Sequence, residues 1–139
     1  MQTTLFQKVT LALGGLIALA IGCFLLLDPQ AFYASYGVAL GTDPSLLSDL
    51  RAPGAGLASL GGIMLAGAWR AAWTPFALIA ALSVYCAFPI GRIVSLVLDG
   101  MPSSGILGAF AIEVVIALLL LLAFGPRRKS QMHEAPNRL

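Results

Sequence analysis

The chain is poor in charge. Only 10% of its 139 residues are charged, whereas 59% are hydrophobic. Because a soluble domain carries about 25% charged residues, the sequence argues against a soluble globular protein. Most of the charges lie at turns and chain ends, and they leave apolar runs long enough to cross a bilayer at about 20 residues each. The composition therefore predicts a polytopic membrane protein whose first partner is the lipid bilayer.

Cysteine and histidine are also scarce. Cys23 and Cys86 lie in different apolar runs without a CxxC spacing, and the single histidine, His133, lies in the polar C-terminal stretch. This set makes neither a disulfide framework nor a metal site, and no nucleophile beside a base or cofactor fingerprint accompanies it. We therefore expect no enzyme activity, no cofactor and no metal. The net charge of +2 sits mainly in Arg127–Lys129, and this placement indicates membrane topology rather than nucleic-acid binding.

Four apolar segments have the length of membrane-spanning helices. Their predicted limits are residues 9–27, 44–69, 74–98 and 105–124. The first segment is too long for the apolar part of a signal peptide, and no clear cleavage site follows it. Pro29–Leu40 is too short to span and rich in aromatic residues, which favours a short helix at the membrane surface. Short connections predict an all-α, up-down four-helix bundle over residues 1–126, followed by a polar, basic cytoplasmic tail over 127–139.

The charged residues at the helix ends predict the orientation of the bundle. Lys8, Arg70 and Arg127–Lys129 fall on one side. The aspartates at the helix ends fall on the other side: Asp28, Asp43 and Asp99. The positive-inside rule then puts both termini in the cytoplasm and the short aromatic helix outside. We expect a multi-pass protein of the cell (inner) membrane.

Polar residues inside the apolar segments predict a site in the outer half of the bundle. Arg92 precedes Asp99 by two helical turns, which places it about 10 Å from the outer end of the third helix. Glu113 lies about 12 Å into the fourth helix from the same side, so the two charges can meet. An unpaired arginine at such a depth costs roughly 2.5–3.5 kcal/mol. The other candidates for this polar network are Asp49 and Arg51 near the outer rim, and Tyr85, Ser95 and Asp99 on the third helix.

Two interpretations of the Arg92–Glu113 pair stay open. In the first, the pair lines an outward-facing pocket that binds or carries a small molecule or a lipid head group. In the second, it fixes helix register in a structural or accessory subunit, and small residues of the second helix contact the bundle itself, a second copy or another membrane protein. These helix-packing residues recur at every fourth position: Gly54, Ala58, Gly62 and Ala66.

The chain resembles a family of small four-helix membrane proteins known as domain of unknown function 4345. The resemblance rests on LRAPGAGLASLGG at residues 50–62, GRIVSLVLDGMP at residues 91–102, and the lone Glu113 in the last helix. It covers nearly the whole chain and implies the four-helix architecture. It also singles out five positions of the polar network, but it implies no reaction. These positions are Arg51, Arg92, Ser95, Asp99 and Glu113.

Overall fold

The computed structural model describes residues 3–125, and the predicted basic tail lies outside the described residues. Within that range the chain is 85% helical and contains no β-strand, which confirms the prediction of an all-α protein. The elements in chain order are α1 (Leu5–Leu27), α2 (Pro29–Ala34), α3 (Pro44–Trp69), a short 3-10 turn (Ala71–Trp73), α4 (Thr74–Leu98) and α5 (Ser104–Phe124).

Capping side chains set where the first three helices begin. α1 begins at Leu5, ahead of the predicted start at residue 9, because Thr4 and Gln7 form a reciprocal capping box. Asp28 and Asp43 accept a backbone N–H in the first turns of α2 and α3, and each is followed by a proline at the first helical position. Local sequence therefore defines these helix starts without help from tertiary contacts.

Three stretches of helix are long and apolar enough to cross a membrane, judged by length and composition. They are Leu5–Leu27, Ala71–Leu98 and Ser104–Phe124. The third long helix, α3, is not among them, because glycine, serine and the charged residues of its first half lower its hydropathy. The described helices therefore suit a membrane protein. Because α3 is less apolar, its place in the fold is explained by its contacts with the other helices.

α3 lies antiparallel to α1, with the two backbones in direct contact. A Cβ atom added to Gly15 would lie 2.9 Å from the carbonyl oxygen of Gly61, and one added to Gly22 would lie 2.7 Å from that of Gly54. Side chains at these positions would force the helices apart, so glycine is required for this spacing. This is the most extensive helix contact in the described chain.

The face of α3 that contacts α1 differs from the predicted line of small residues. Gly54 and Ala58 face α1, but Gly62 is exposed, and a Cβ atom added there would meet nothing within 4 Å. Gly61 occupies the packed position instead. Each step of four residues turns the next side chain about 40° further around the helix axis. Residues spaced four apart therefore rotate away from the contact face. A step of three residues turns the side chain back toward that face. Ala66, further along the same line, is half-buried near the end of α3.

The hydrophobic core lies in one half of the molecule. We call the end of the helices that carries Lys8 and Arg70 the basic end, and the end that carries Asp28, Asp43 and Asp99 the acidic end. The buried residues of α4 stop at Pro89 and those of α5 start at Ile116. No residue from 90 to 115 is buried. The core members are Leu11, Ala18, Leu57, Met64, Ala77, Ala80, Ala81, Val84, Tyr85, Ile116 and Leu120.

The acidic half of the α4–α5 hairpin therefore packs loosely against the rest of the chain. The α1–α3 pair stays closed as far as Gly22 and Gly54, whereas no Cα atom of α3 lies within 8 Å of one in α5. Charged residues of α4 and α5 can occupy this half because apolar packing does not fill it.

Candidate functional site

An ion pair joins α4 and α5 in the acidic half. Nε of Arg92 donates to Oε2 of Glu113 at 2.8 Å, and Nη2 donates to Oε1 at 2.8 Å. Two parallel N–H···O bonds between a guanidinium and a carboxylate are the strongest common form of a charged hydrogen bond. The side chains are 28% and 14% exposed, respectively, so the pair is neither part of the core nor free on the surface.

Arg92 stands on the face of α4 that points into the bundle. Tyr85 lies two helical turns earlier on this same face and is 2% exposed. Its hydroxyl donates to the carbonyl oxygen of Gly14 in α1 at 2.6 Å. Because Gly14 has no side chain, the Tyr85 ring can approach this carbonyl. A Cβ atom on Gly14 would lie 3.1 Å from the ring. Glu113 is within electrostatic range of the Tyr85 hydroxyl, so polar groups extend from the core toward the ion pair.

Two tyrosines that sequence reasoning assigned only to the membrane surface approach the same pair. The ring of Tyr36 lies against Gly105 in the first turn of α5, and a Cβ atom on that glycine would be 2.8 Å from the ring. Tyr33 and Tyr36 are both within electrostatic range of the Arg92 guanidinium. Phe32 contacts both tyrosine rings edge-to-face, at centroid distances of 5.4 and 5.2 Å. The only sequence signal for this approach was a glycine at the start of α5.

Ser95 and Asp99 pair with each other rather than with Arg92. The Ser95 hydroxyl donates to Oδ2 of Asp99 at 2.9 Å, one helical turn away, and both residues are exposed. They mark the end of α4, where the chain turns toward α5. Within the described residues they form no hydrogen bond with the ion pair, so they lie on the same helix as Arg92 without taking part in the pair.

Arg51 bonds to the end of α1 rather than to the ion pair. Its Nη1 donates to the carbonyl oxygen of Leu26 and, at 2.8 Å, to that of Leu27. These are C-terminal carbonyls of α1, which have no partner within the helix and attract positive charge. Asp49 is exposed, and no side-chain hydrogen bond joins it to other described residues. Arg51 thus closes the end of α1, and neither residue joins Arg92 and Glu113.

The chemistry open to the site is recognition of polar groups. It combines one guanidinium, one carboxylate and nearby phenolic hydroxyls at the edge of an apolar bundle. Among residues 3–125 no group of three or more His, Cys, Asp or Glu side chains could hold a metal ion. The arrangement offers directed hydrogen bonds, with N–H and O–H donors in the majority.

Comparison with known proteins identifies a family but no activity. No curated protein and no solved structure matches this chain. The model of one family, the domain of unknown function DUF4345, matches residues 6–124, a range that covers all the helices described above apart from Leu5 and includes both partners of the ion pair. The chain belongs to the DUF4345 family.

Proposed function

We propose that this chain is a multi-pass protein of the inner cell membrane, an up-down bundle of four spanning helices with both termini in the cytoplasm. The charge distribution supports this orientation, because Lys8 and Arg70 are at one end while Asp28 and Asp99 are at the other. α3 serves as the fourth span although it is less apolar, since α1 covers its glycine face and keeps that face from lipid. The short helix α2 then lies at the outer surface.

The function we propose for this bundle is to bind or carry an amphiphile, either a lipid or another small molecule with a polar head, in its outer half. The observation that carries the proposal is the partly exposed Arg92–Glu113 pair in a region where no residue from 90 to 115 is buried. Ionisable groups inside a membrane are costly and commonly mark functional sites. An apolar groove of about 270 Å³ between α1 and α5, lined by residues such as Leu13 and Ile112, offers room for a chain nearby.

Native mass spectrometry of the purified protein in a mild detergent tests this proposal. We expect the wild-type chain to retain an amphiphile at a fixed ratio, and the double variant Arg92→Met/Glu113→Leu to lose it. The double variant removes both charges together and so avoids leaving one of them unpaired. Circular dichroism confirms that the variant is folded. A wild-type chain that retains nothing, or a folded double variant that retains as much as wild type, contradicts the proposal.

A structural or accessory role is the second candidate, and two observations favour it. The bidentate pair joins α4 and α5 where they have little other packing, so it is well placed to fix their register. On α3, Gly54 and Ala58 are already used against α1, whereas Gly56 and Gly62 are exposed and free to approach another helix. In this alternative the exposed small residues of α3 contact a second copy or another membrane protein.

Chemical cross-linking in membranes tests the second candidate. If α3 mediates assembly, Gly62→Leu abolishes a cross-linked dimer or complex and leaves the monomer inserted, because a Cβ atom added to Gly62 meets no other described residue within 4 Å. Gly37→Leu is not a suitable control, since Gly37 has a positive φ of 78° that a leucine rarely adopts. The control variant is Val97→Leu, because Val97 is an exposed residue of α4. Finding only monomer in the wild type rules out this role in the membranes tested.

A further inference from the structure

Arg92 has more hydrogen-bond donors than Glu113 uses. A guanidinium carries five N–H groups in one plane, and the carboxylate accepts from Nε and from one N–H of Nη2. The remaining N–H of Nη2 and one N–H of Nη1 form a second edge of the plane, and the last N–H of Nη1 points back toward the Cδ side. Among residues 3–125 no acceptor is hydrogen-bonded to that edge. The side chain is 28% exposed, so the edge can be reached from outside the chain.

Two tyrosines in and just after α2 add further donors to the acidic half. Tyr33 and Tyr36 are within electrostatic range of Arg92, and each carries a phenolic O–H for which the described chain contains no hydrogen-bond partner. Tyr36 is held in place by its contact with Gly105 and by the edge-to-face contact with Phe32. The free guanidinium edge and the two hydroxyls make this part of the acidic half rich in donors, and the matching ligand is a group with several acceptor oxygens.

The two nearest alternatives within the chain do not supply those oxygens. The Asp99 carboxylate accepts from Ser95 and lies about 10 Å further along α4. Glu113 already uses both oxygens on the opposite edge of the guanidinium. An unsatisfied N–H group in an apolar environment costs several kcal/mol, so an acceptor from outside the chain stabilises the site.

We propose that the outer edge of Arg92, together with the hydroxyls of Tyr33 and Tyr36, binds a phosphate oxyanion, presented as the head group of a phospholipid. This inference rests on the proposed amphiphile-binding function and names the chemistry of the head group. Glu113 neutralises the charge of Arg92 and orients its plane. Recognition therefore depends on directed hydrogen bonds more than on net charge, and a lysine cannot replace the arginine because it lacks the planar set of donors.

The binding experiment uses the full chain, delipidated in a nonionic detergent, with native mass spectrometry as the readout. The probes are phosphatidylglycerol, a diacylglycerol with the same acyl chains but no phosphate, and inorganic phosphate alone. We expect saturable binding of phosphatidylglycerol and at least tenfold weaker binding of diacylglycerol. Loss of one hydrogen bond to a charged group corresponds to about a tenfold change in Kd, so Arg92→Lys should weaken phosphatidylglycerol binding by about tenfold. Tyr36→Phe, which keeps the ring on Gly105, should weaken it by about threefold to tenfold.

The matched control is Arg51→Lys. Arg51 also lies toward the acidic end, but its hydrogen bonds go to the end of α1, so this variant should bind phosphatidylglycerol with unchanged affinity. If Arg92→Lys and Arg51→Lys weaken binding equally, the effect comes from general charge or stability, and the assignment of the phosphate to Arg92 is wrong.

The probes also separate this inference from the function on which it rests. Equal binding of phosphatidylglycerol and diacylglycerol overturns the phosphate site while leaving an amphiphile-binding protein. Inorganic phosphate that binds as tightly as phosphatidylglycerol supports the oxyanion site and shows that the acyl chains contribute nothing, which contradicts the amphiphile. Binding of none of the three overturns the phosphate site, and the retained amphiphile of the wild-type protein then decides the broader proposal.

Discussion

Arg92 and Glu113 stabilise the chain only as a pair. Removing one partner leaves a charge without its counter-charge in an apolar helix, and for a fully buried pair that costs about 3–5 kcal/mol. The partial exposure of both side chains, 28% and 14%, lets water or head groups share this cost. Either side chain can therefore exchange its partner for water or a head group, whereas a fully buried ion pair does not allow this exchange.

Glu113→Gln should lower the free energy of unfolding by about 1–3 kcal/mol, because it breaks a charged hydrogen bond and leaves Arg92 unpaired. The double variant Arg92→Met/Glu113→Leu should lose less than Glu113→Gln alone. Unfolding in mixed micelles at increasing fractions of SDS measures both. Asp99→Asn is the control, since that exposed carboxylate bonds only to Ser95 and should change stability by no more than about 0.5 kcal/mol. A double variant that loses as much stability as Glu113→Gln, or more, would contradict this account of the pair.

Arg51 acts at another place and through another mechanism. Arg51→Met should lower the free energy of unfolding by about 1 kcal/mol, since the Leu26 and Leu27 carbonyls lose their donor at the C-terminus of α1. Arg70→Met is the matched control, because Arg70 is exposed and has no side-chain hydrogen bond to the described residues. Its removal should leave stability within about 0.5 kcal/mol of wild type. The same SDS titration compares the two, and equal losses would argue against the capping role.

At the scale of helices, neighbouring glycines on α3 have opposite roles. Gly61→Ala should destabilise the protein by about 1–3 kcal/mol, because a Cβ atom there would lie 2.8 Å from the carbonyl oxygen of Gly15 and the helices must separate. Gly62→Ala should be neutral or stabilise by up to about 1 kcal/mol, since its Cβ atom meets nothing and alanine favours the helix. Thermal unfolding followed by circular dichroism distinguishes them. A similar effect of both substitutions would mean that α1 and α3 do not contact each other through Gly61.

The two long hairpins also differ in how they are held. Glycine contacts hold α1 against α3 toward the acidic end, as far as Gly22 and Gly54, whereas the α4–α5 hairpin relies there on one ion pair and on the contact between Tyr36 and Gly105. Loosely packed regions open at lower free energy than the core. The acidic half of α4 and α5 is therefore the part of the described chain best suited to admit a ligand.

At the scale of the whole molecule, the proposed orientation predicts opposite accessibility of two exposed turns. With Cys23 and Cys86 replaced by alanine, a cysteine at Met101 should react with a membrane-impermeant thiol reagent added to intact cells. A cysteine at Ala71 should react only after the membrane is opened, because the basic end faces the cytoplasm. Both target positions are exposed in the fold. Labelling of both positions from one side would require an even number of spans between them and would exclude the four-span topology.

In the proposed topology α4 alone separates the two positions, so they cannot be labelled from the same side. The experiment is therefore a direct test of whether α4 crosses the membrane. A third cysteine at Thr42, in the exposed connection between α2 and α3, tests α3. It should share the accessibility of Met101→Cys if α3 and α4 both span. Accessibility matching Ala71→Cys would mean that α3 does not cross the membrane.

The sequence by itself determined the class of protein, the helices and the depth of the charges, since each of these depends on local composition and on the fixed rise of a helix. Apolar runs required helices, Asp28 and Asp43 marked helix starts, and counting turns from the acidic end was enough to place Arg92 and Glu113 at similar depths. These features need no knowledge of which helix faces which.

Only the tertiary structure decided how each helix is rotated about its axis. A rotation of about 100° separates neighbouring residues, so Gly61 rather than Gly62 meets α1, and no local pattern distinguishes the two. For the same reason Arg51 bonds to the end of α1 instead of joining Arg92, and the ring of Tyr36 lies against Gly105. Such contacts join residues far apart in the chain, and their choice depends on the packing of all the helices together.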